Sequence, residues 1–175
     1  MPGARRETAS HQQHKEAAPR SVSCMVITCS DTRTPETDTS GALIMNTLRE
    51  QGHMIAAYHV VKDEPSAIRK LIKQGAKNRQ VQAIIVNGGT GISRRDSTFE
   101  AIDALLEKRL AGFGEIFRYL SYQDIGSAAI MSRATAGLYK GTIVISIPGS
   151  EKAALLAMDK LILKELGHMV REMSK

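Results

Sequence analysis

From residue 21 onward the apolar positions follow two alternating periods. Runs of aliphatic and β-branched residues at 24–29, 54–61 and 83–86 are strand-length, and the intervening residues 40–51 and 65–77 place apolar side chains at helical spacing. The predicted order is β-α-β-α-β, which implies parallel strands joined by helical crossovers and an α/β fold class. Beyond a glycine loop, the pattern predicts helices over 97–108 and 114–122, and a helical turn over 125–131. A strand over 134–139, a turn at Lys140 and Gly141, and a strand over 142–147 come next. The last helix spans 151–172. Its apolar stripe is Leu155, Met158, Ile162, Leu166 and Met169, with Lys152, Lys160, Lys164 and Arg171 facing solvent.

Residues 1–20 are polar and without periodicity, so they read as a flexible N-terminal tail ahead of a single domain over 21–175. The length of 175 residues suits one core. No apolar run approaches the roughly 20 residues of a bilayer-spanning helix, and no secretory h-region opens the chain. No membrane association and a cytoplasmic location are the expectations. The net charge of +6 comes from scattered residues with only 4% aromatics, which argues against nucleic acid and for a small phosphorylated ligand. Cys24 and Cys29 lie in one strand at odd separation, so they face opposite sides and stay as buried, reduced thiols.

In an open parallel sheet, ligands bind beyond the carboxyl ends of the strands. Four strand exits carry polar or glycine-rich residues: Ser30-Asp31-Thr32-Arg33, Lys62-Asp63-Glu64, Asn87-Gly88-Gly89-Thr90-Gly91 and Pro148-Gly149-Ser150. The glycine loop reads as a tight turn when taken alone. The adjoining Arg94, Arg95 and Asp96, and the capping-box form Ser97-x-x-Glu100, favour an anion cradle at a helix start. Asp63 and Asp96 suit capping individually, and together they suit a cation such as Mg²⁺ beside phosphate. Among candidate phosphate contacts, Arg133 and the Arg94/Arg95 pair rank above Arg33. Asp38-Thr39-Ser40-Gly41 is a capped helix start, with Gly41 permitting close packing. None of His53, His59 and His168 has a metal partner at ligand spacing.

Taken in order, these motifs carry a family resemblance. Ser30-Asp31, Asp38-x-Ser40-Gly41, Asp63-Glu64, Asn87-Gly-Gly-Thr-Gly91 with Arg95-Asp96-x-Thr98, Gly112-Phe-Gly-Glu115, Ser132-Arg-Ala134 and Pro148-Gly-Ser150 resemble the MogA/MoaB family of molybdenum cofactor biosynthesis. The likeness covers about residues 22–172, and Asn87 with Arg94-Arg95-Asp96 is similar to the MoaB branch. The resemblance implies a three-layer α/β/α sandwich with a mostly parallel central sheet. It also implies molybdopterin as ligand and a homo-oligomer, either a trimer or a dimer of trimers. For the MogA branch it implies adenylylation of molybdopterin by Mg²⁺-ATP with release of pyrophosphate. The catalytic and metal-holding carboxylates then correspond to Asp63 and Asp96. The substrate-binding positions correspond to Ser30, Asp31, Asp38, Ser40, Gly41, Gly88, Gly89, Thr90, Gly91, Arg95, Ser132, Arg133, Pro148, Gly149 and Ser150. The alternative is a non-catalytic molybdopterin-binding or carrier protein of the same pathway.

Overall fold

A computed structural model describes residues 18–175; residues 1–17 of the expected tail lie outside the described residues. Strands β1 (Ser23–Cys29), β2 (Met54–Val61), β3 (Ala83–Asn87), β4 (Lys108–Arg109), β5 (Thr135–Tyr139) and β6 (Thr142–Ile147) form one sheet in the order β2-β1-β3-β6-β5-β4. The first four in that order run parallel, and β5 and β4 extend the sheet antiparallel. Position in the sheet explains the sequence. β1, β3 and β6 are buried at every residue and read as unbroken aliphatic runs, whereas edge strand β2 is only partly covered.

Helices α1 (Thr39–Glu50), α2 (Pro65–Lys77), α3 (Thr98–Asp103), α4 (Ala111–Ile125), α5 (Glu151–Ala157) and α6 (Leu163–Met173) cover both faces. Val26, Ile85 and Ile145 pack with Ile44, Phe117, Met158 and Leu166 on one side. Ile27, Ile84 and Val144 pack with Ile68, Ile72 and Ile102 on the other. The molecule is thus the expected three-layer α/β/α sandwich. Cys24 and Cys29 fall in opposite cores as free thiols, and burial pushes both up to about 12. Among the described residues, no helix is long and apolar enough to cross a membrane.

Three local expectations are corrected. The helix read over 97–108 stops at Asp103. Glu107 N–H is drawn to Leu138 O and Leu110 N–H to Ala136 O, so the intervening residues become the short edge strand β4. The helix read over 114–122 extends in both directions to Ala111–Ile125, and a 3-10 segment, Gly126–Met131, follows it. The last helix is interrupted by a π segment, Met158–Ile162. Its wider turn shifts the phase of the stripe, so Leu155 is exposed and Ala154, Met158, Ile162, Leu166 and Val170 are buried. The turn between β5 and β6 has positive φ at both Lys140 (46°) and Gly141 (73°), as a two-residue hairpin requires.

Candidate functional site

The chain leaves β1 toward β2 on one side, and β3 lies on the other, so the loops after β1 and β3 diverge and leave a crevice between them. The loop after β6 closes it: a Cβ built on Gly149 would lie 2.9 Å from Gly88 Cα, so the two loops meet backbone to backbone. A cavity of about 660 Å³ results, bounded by Ser30 and Arg33 from the first loop, residues 88–91 and Asp96 from the second, and residues 148–150 from the third. Ser132 and Met131 complete the wall.

Residues 88–91 form a cradle of backbone donors. Gly88 (φ 102°) and Gly89 (φ 62°) have backbone conformations that favour glycine. Thr98 N–H donates to Gly89 O, and Arg133 donates to Thr90 O (2.8 Å) and to Gly91 O. Within a trans peptide the N–H points opposite to the C=O, so these bonds turn the Thr90 and Gly91 amides away from Thr98 and Arg133. Among the described residues, the N–H groups of Gly89, Thr90 and Gly91 donate to no protein acceptor. At the third loop, Ser150 caps α5 by accepting from Ala153 N–H at 3.2 Å.

The arginines are ordered differently from the sequence reading. Arg133 holds the loop carbonyls, pairs with Glu100 and stacks 4.7 Å from the Phe99 ring centroid, so it serves as a latch. Arg95 lies outside the cavity, bonded to both oxygens of Asp31 and to Glu64. Its hydrogen bonds hold the Asp31 carboxyl below the usual range. Arg33, ranked last from sequence, reaches the cavity wall. Its Nη1 donates to Ser40 Oγ (2.5 Å), Gly149 O (3.0 Å) and Asp38 Oδ1 (3.5 Å). Nε and Nη2 have no protein acceptor among the described residues.

Asp38, Ser40 and Gly41 lie beneath this wall. Asp38 is 2% exposed; its Oδ2 accepts from Thr28 Oγ (2.5 Å) and Tyr58 OH (2.6 Å), and its Oδ1 accepts from Gly41 N–H (3.0 Å) and Ser40 Oγ (3.2 Å). Burial pushes this carboxyl up, but the bonds from Thr28, Tyr58, Gly41 and Ser40 outweigh it and leave it below the ordinary value. Gly41 is required because a Cβ there would sit 2.0 Å from Asp38 Oδ2.

The two catalytic candidates part company. Asp96 is on the cavity wall, with Oδ2 accepting from Ser93 N–H (3.0 Å) and Ser93 Oγ (2.5 Å). Asp63 is buried below the glycine loop, and its Oδ1 accepts from Ser97 N–H (3.4 Å), Ser97 Oγ (3.1 Å) and Thr98 Oγ (2.9 Å). The expected capping box at Ser97 does not form, because Ser97 turns to Asp63 and Glu100 turns to Arg133. Asp31 Oδ1 in turn accepts from Asp63 N–H at 3.2 Å. All four strand exits therefore meet at one rim. Ser30, residues 88–91, Asp96, Ser132 and residues 148–150 line the cavity, while Asp31, Asp38, Ser40, Gly41, Asp63, Arg95 and Arg133 hold those loops from behind. Ile125, Ala128 and Met131 also line it and were not anticipated. The motif Ser132-Arg133 pointed to their neighbourhood but carried no sign that the helical turn before it would face the crevice.

The family profile described as "Probable molybdopterin binding domain" matches residues 25–168. Molybdenum cofactor biosynthesis protein B of Bacillus subtilis (strain 168) is 58% identical over 167 residues, covering 95% of this chain and 98% of that protein. A crystal structure of a molybdenum cofactor biosynthesis protein B superposes with a TM-score of 0.87 at 49% identity, over 90% of this chain and 98% of that one. The tungsten cofactor synthesizing protein MoaB from Pyrococcus furiosus superposes with a TM-score of 0.81 at 33% identity, over 90% and 100% of the two chains. Profile, sequence and fold agree with the motif order along the rim, and the chain belongs to the MogA/MoaB family of molybdenum cofactor biosynthesis, on its MoaB side.

Proposed function

We propose that the rim cavity binds molybdopterin and that the protein transfers the adenylyl group of ATP to it. The reading is carried by one convergence: the unpaired amides of Gly89, Thr90 and Gly91 and the open edge of Arg33 meet on the same cavity. Backbone donors and a guanidinium in this arrangement suit phosphate oxygens. In the proposed reaction a terminal phosphate oxygen of molybdopterin forms a bond to the α-phosphorus of ATP, the α–β bridging bond breaks, and pyrophosphate leaves. The protein's part is to position the two phosphates and to donate hydrogen bonds to the equatorial oxygens as their charge grows.

Mg²⁺ is commonly held by one or two carboxylates together with substrate phosphates. Asp96 fits that pattern, since its Oδ1 has no protein donor among the described residues and the side chain faces the cavity. Asp63 does not fit it as directly, because it is buried off the cavity wall with three donors on its Oδ1, and we assign it to positioning the segment from Ser97 into α3. When bound, the metal offsets phosphate charge during transfer.

The test is pyrophosphate release by the purified protein with Mg²⁺-ATP and molybdopterin. Release is expected only when all three are present. Asp96→Asn should lower turnover without moving the thermal midpoint, and Arg33→Ala should weaken molybdopterin binding about tenfold. Saturable molybdopterin binding with no pyrophosphate would instead establish a non-catalytic carrier. That reading is favoured by the placement of Asp63 behind the glycine loop, with three donors on its Oδ1, and by the tie of Arg95 to Asp31 and Glu64. Unchanged affinity in Arg33→Ala would remove the cavity from both readings. A trimer or a dimer of trimers is part of the proposal, and light scattering on the full chain reads it.

A further inference from the structure

A second cavity, of about 450 Å³, opens at the opposite end of the sheet, where Val22 leads into β1 and His53 leads into β2. One wall is the segment before β1, which lies flat on α6: a Cβ on Gly167 would come 2.6 Å from Pro19 O. Arg20, Gln51, His53, Lys164 and His168 contribute its polar side chains.

His53 is the unusual member. It is 9% exposed, and its Nδ1 accepts from Val22 N–H at 3.1 Å, which places the proton of the neutral ring on Nε2. Among the described residues that Nε2–H has no protein acceptor, and the atom keeps access to the cavity, so it is free to donate to a ligand there. Arg20 and Lys164 are exposed, and among the described residues neither forms a salt bridge, although the Lys164 charge helps to lower the Asp159 carboxyl. Glu165, the carboxylate beside Lys164 in sequence, is engaged by His168 Nδ1 at 3.1 Å, and Glu172 lies 3.8 Å from His168 Nε2. Two cationic side chains and the accessible His53 N–H donor thus line one space, with His168 beside them.

We propose that this cavity is a second binding site, for a phosphate group held by Arg20, Lys164 and the His53 Nε2–H. Donors reaching the cavity from three separate segments suit a tetrahedral oxyanion with several acceptor oxygens better than a planar carboxylate. The seven residues of β1 separate the site from the rim by roughly 20 Å, so both can be filled at once. Occupancy would tie the segment before β1 to the α1–β2 turn and to α6.

Histidine-selective NMR of the full chain, titrated with inorganic phosphate, tests this locally. His53→Asn identifies the resonance and keeps an acceptor oxygen near the Nδ1 position for Val22 N–H. Burial holds the His53 imidazole below its ordinary value, and a bound anion favours the protonated ring. A saturable shift of the His53 resonance is expected, with its titration midpoint moving up. Arg20→Met and Lys164→Met, both surface changes, should each weaken the apparent affinity about tenfold. Arg33→Ala at the rim should leave it unchanged. A parallel titration with AMP separates the sources: tighter binding identifies a phosphomonoester, and equal binding identifies the free ion. A His53 resonance that stays fixed throughout, or moves identically in the Arg20→Met/Lys164→Met double variant, overturns the proposal.

Discussion

Replacing Gly88 with alanine should destabilise the protein by more than about 3 kcal/mol, enough to unfold a domain of ordinary stability under mild conditions. Gly88 has φ 102°, and a Cβ there would lie 2.1 Å from Cys29 O and 3.2 Å from Cys29 C. Both obstacles are backbone atoms at the end of β1, so no side-chain rotation relieves the clash. Retreat is blocked on the other side, where Gly88 N–H donates to Ile147 O at 3.0 Å and Gly149 presses against Gly88 Cα. The strained φ adds to the steric term. Gly112→Ala is the matched control. It lies in α4 with nothing within 4 Å of the added methyl, so a change within about 1 kcal/mol, in the stabilising direction, is expected. Urea unfolding midpoints of the two variants check the contrast. Equal midpoints would mean that the loop tolerates a Cβ, and the close approach of β1, β3 and β6 at the rim would need another explanation.

That approach is also what made much of the site readable. A parallel sheet sends the exits of its strands to one end, so identifying the aliphatic runs at 24–29, 83–86 and 142–147 was enough to gather Ser30, residues 88–91 and residues 148–150 around a common space. The glycines were legible because close backbone contact leaves a compositional trace. Side-chain direction was not. Whether Arg133 points at a ligand or at Thr90 O depends on residues more than 40 positions away, and no local pattern encodes that choice. The weight of Arg33 is hidden for the same reason: its partners stand apart in sequence, Ser40 in the first turn of α1 and Gly149 in the loop after β6. Ser97 shows a local rule losing to a tertiary one, since the buried Asp63 carboxylate takes the hydroxyl that a capping box would have used. Leu155 shows the limit of periodicity, which assumes a constant turn and fails across Met158–Ile162.

Asp63 illustrates how a residue can be correctly singled out and yet placed in another role. It stands at the exit of edge strand β2, one strand removed from the crevice, and reaches under the glycine loop to Ser97 and Thr98. A Cβ on Gly89 would lie 2.4 Å from Asp63 Oδ2, so the glycine and the aspartate are parts of one fitted contact. The chemistry assigned to the rim therefore depends on Asp63 through the geometry of the loop, whereas Asp96 meets the cavity directly.

Removing the carboxylate beneath Arg33 should have the other large effect, and it should depend on pH. Asp38→Ala leaves Thr28 Oγ, Tyr58 OH and Gly41 N–H without their acceptor in a site that is 2% exposed, while Ser40 Oγ keeps Asn87 Oδ1 at 2.9 Å. Unmet buried donors of this kind cost about 1–3 kcal/mol each, and partial rearrangement brings the expected total loss to about 3–4 kcal/mol. Asp38→Asn keeps the volume and one acceptor oxygen, so its loss should be smaller, about 2 kcal/mol, and should report on the charge. The sign follows from the lowered native value. An acid whose native pKa lies below its unfolded value of about 3.9 contributes fully at neutral pH and loses that contribution as pH falls through the native value. The wild type should therefore lose its advantage over Asp38→Asn between about pH 4 and more acidic conditions, with the two unfolding curves converging there. A gap between the two proteins that stays constant from neutral pH into that range would mean the Asp38 charge contributes nothing, and that the site is held by shape alone. Convergence would instead tie the alignment of Arg33, and with it one wall of the cavity, to a buried ion.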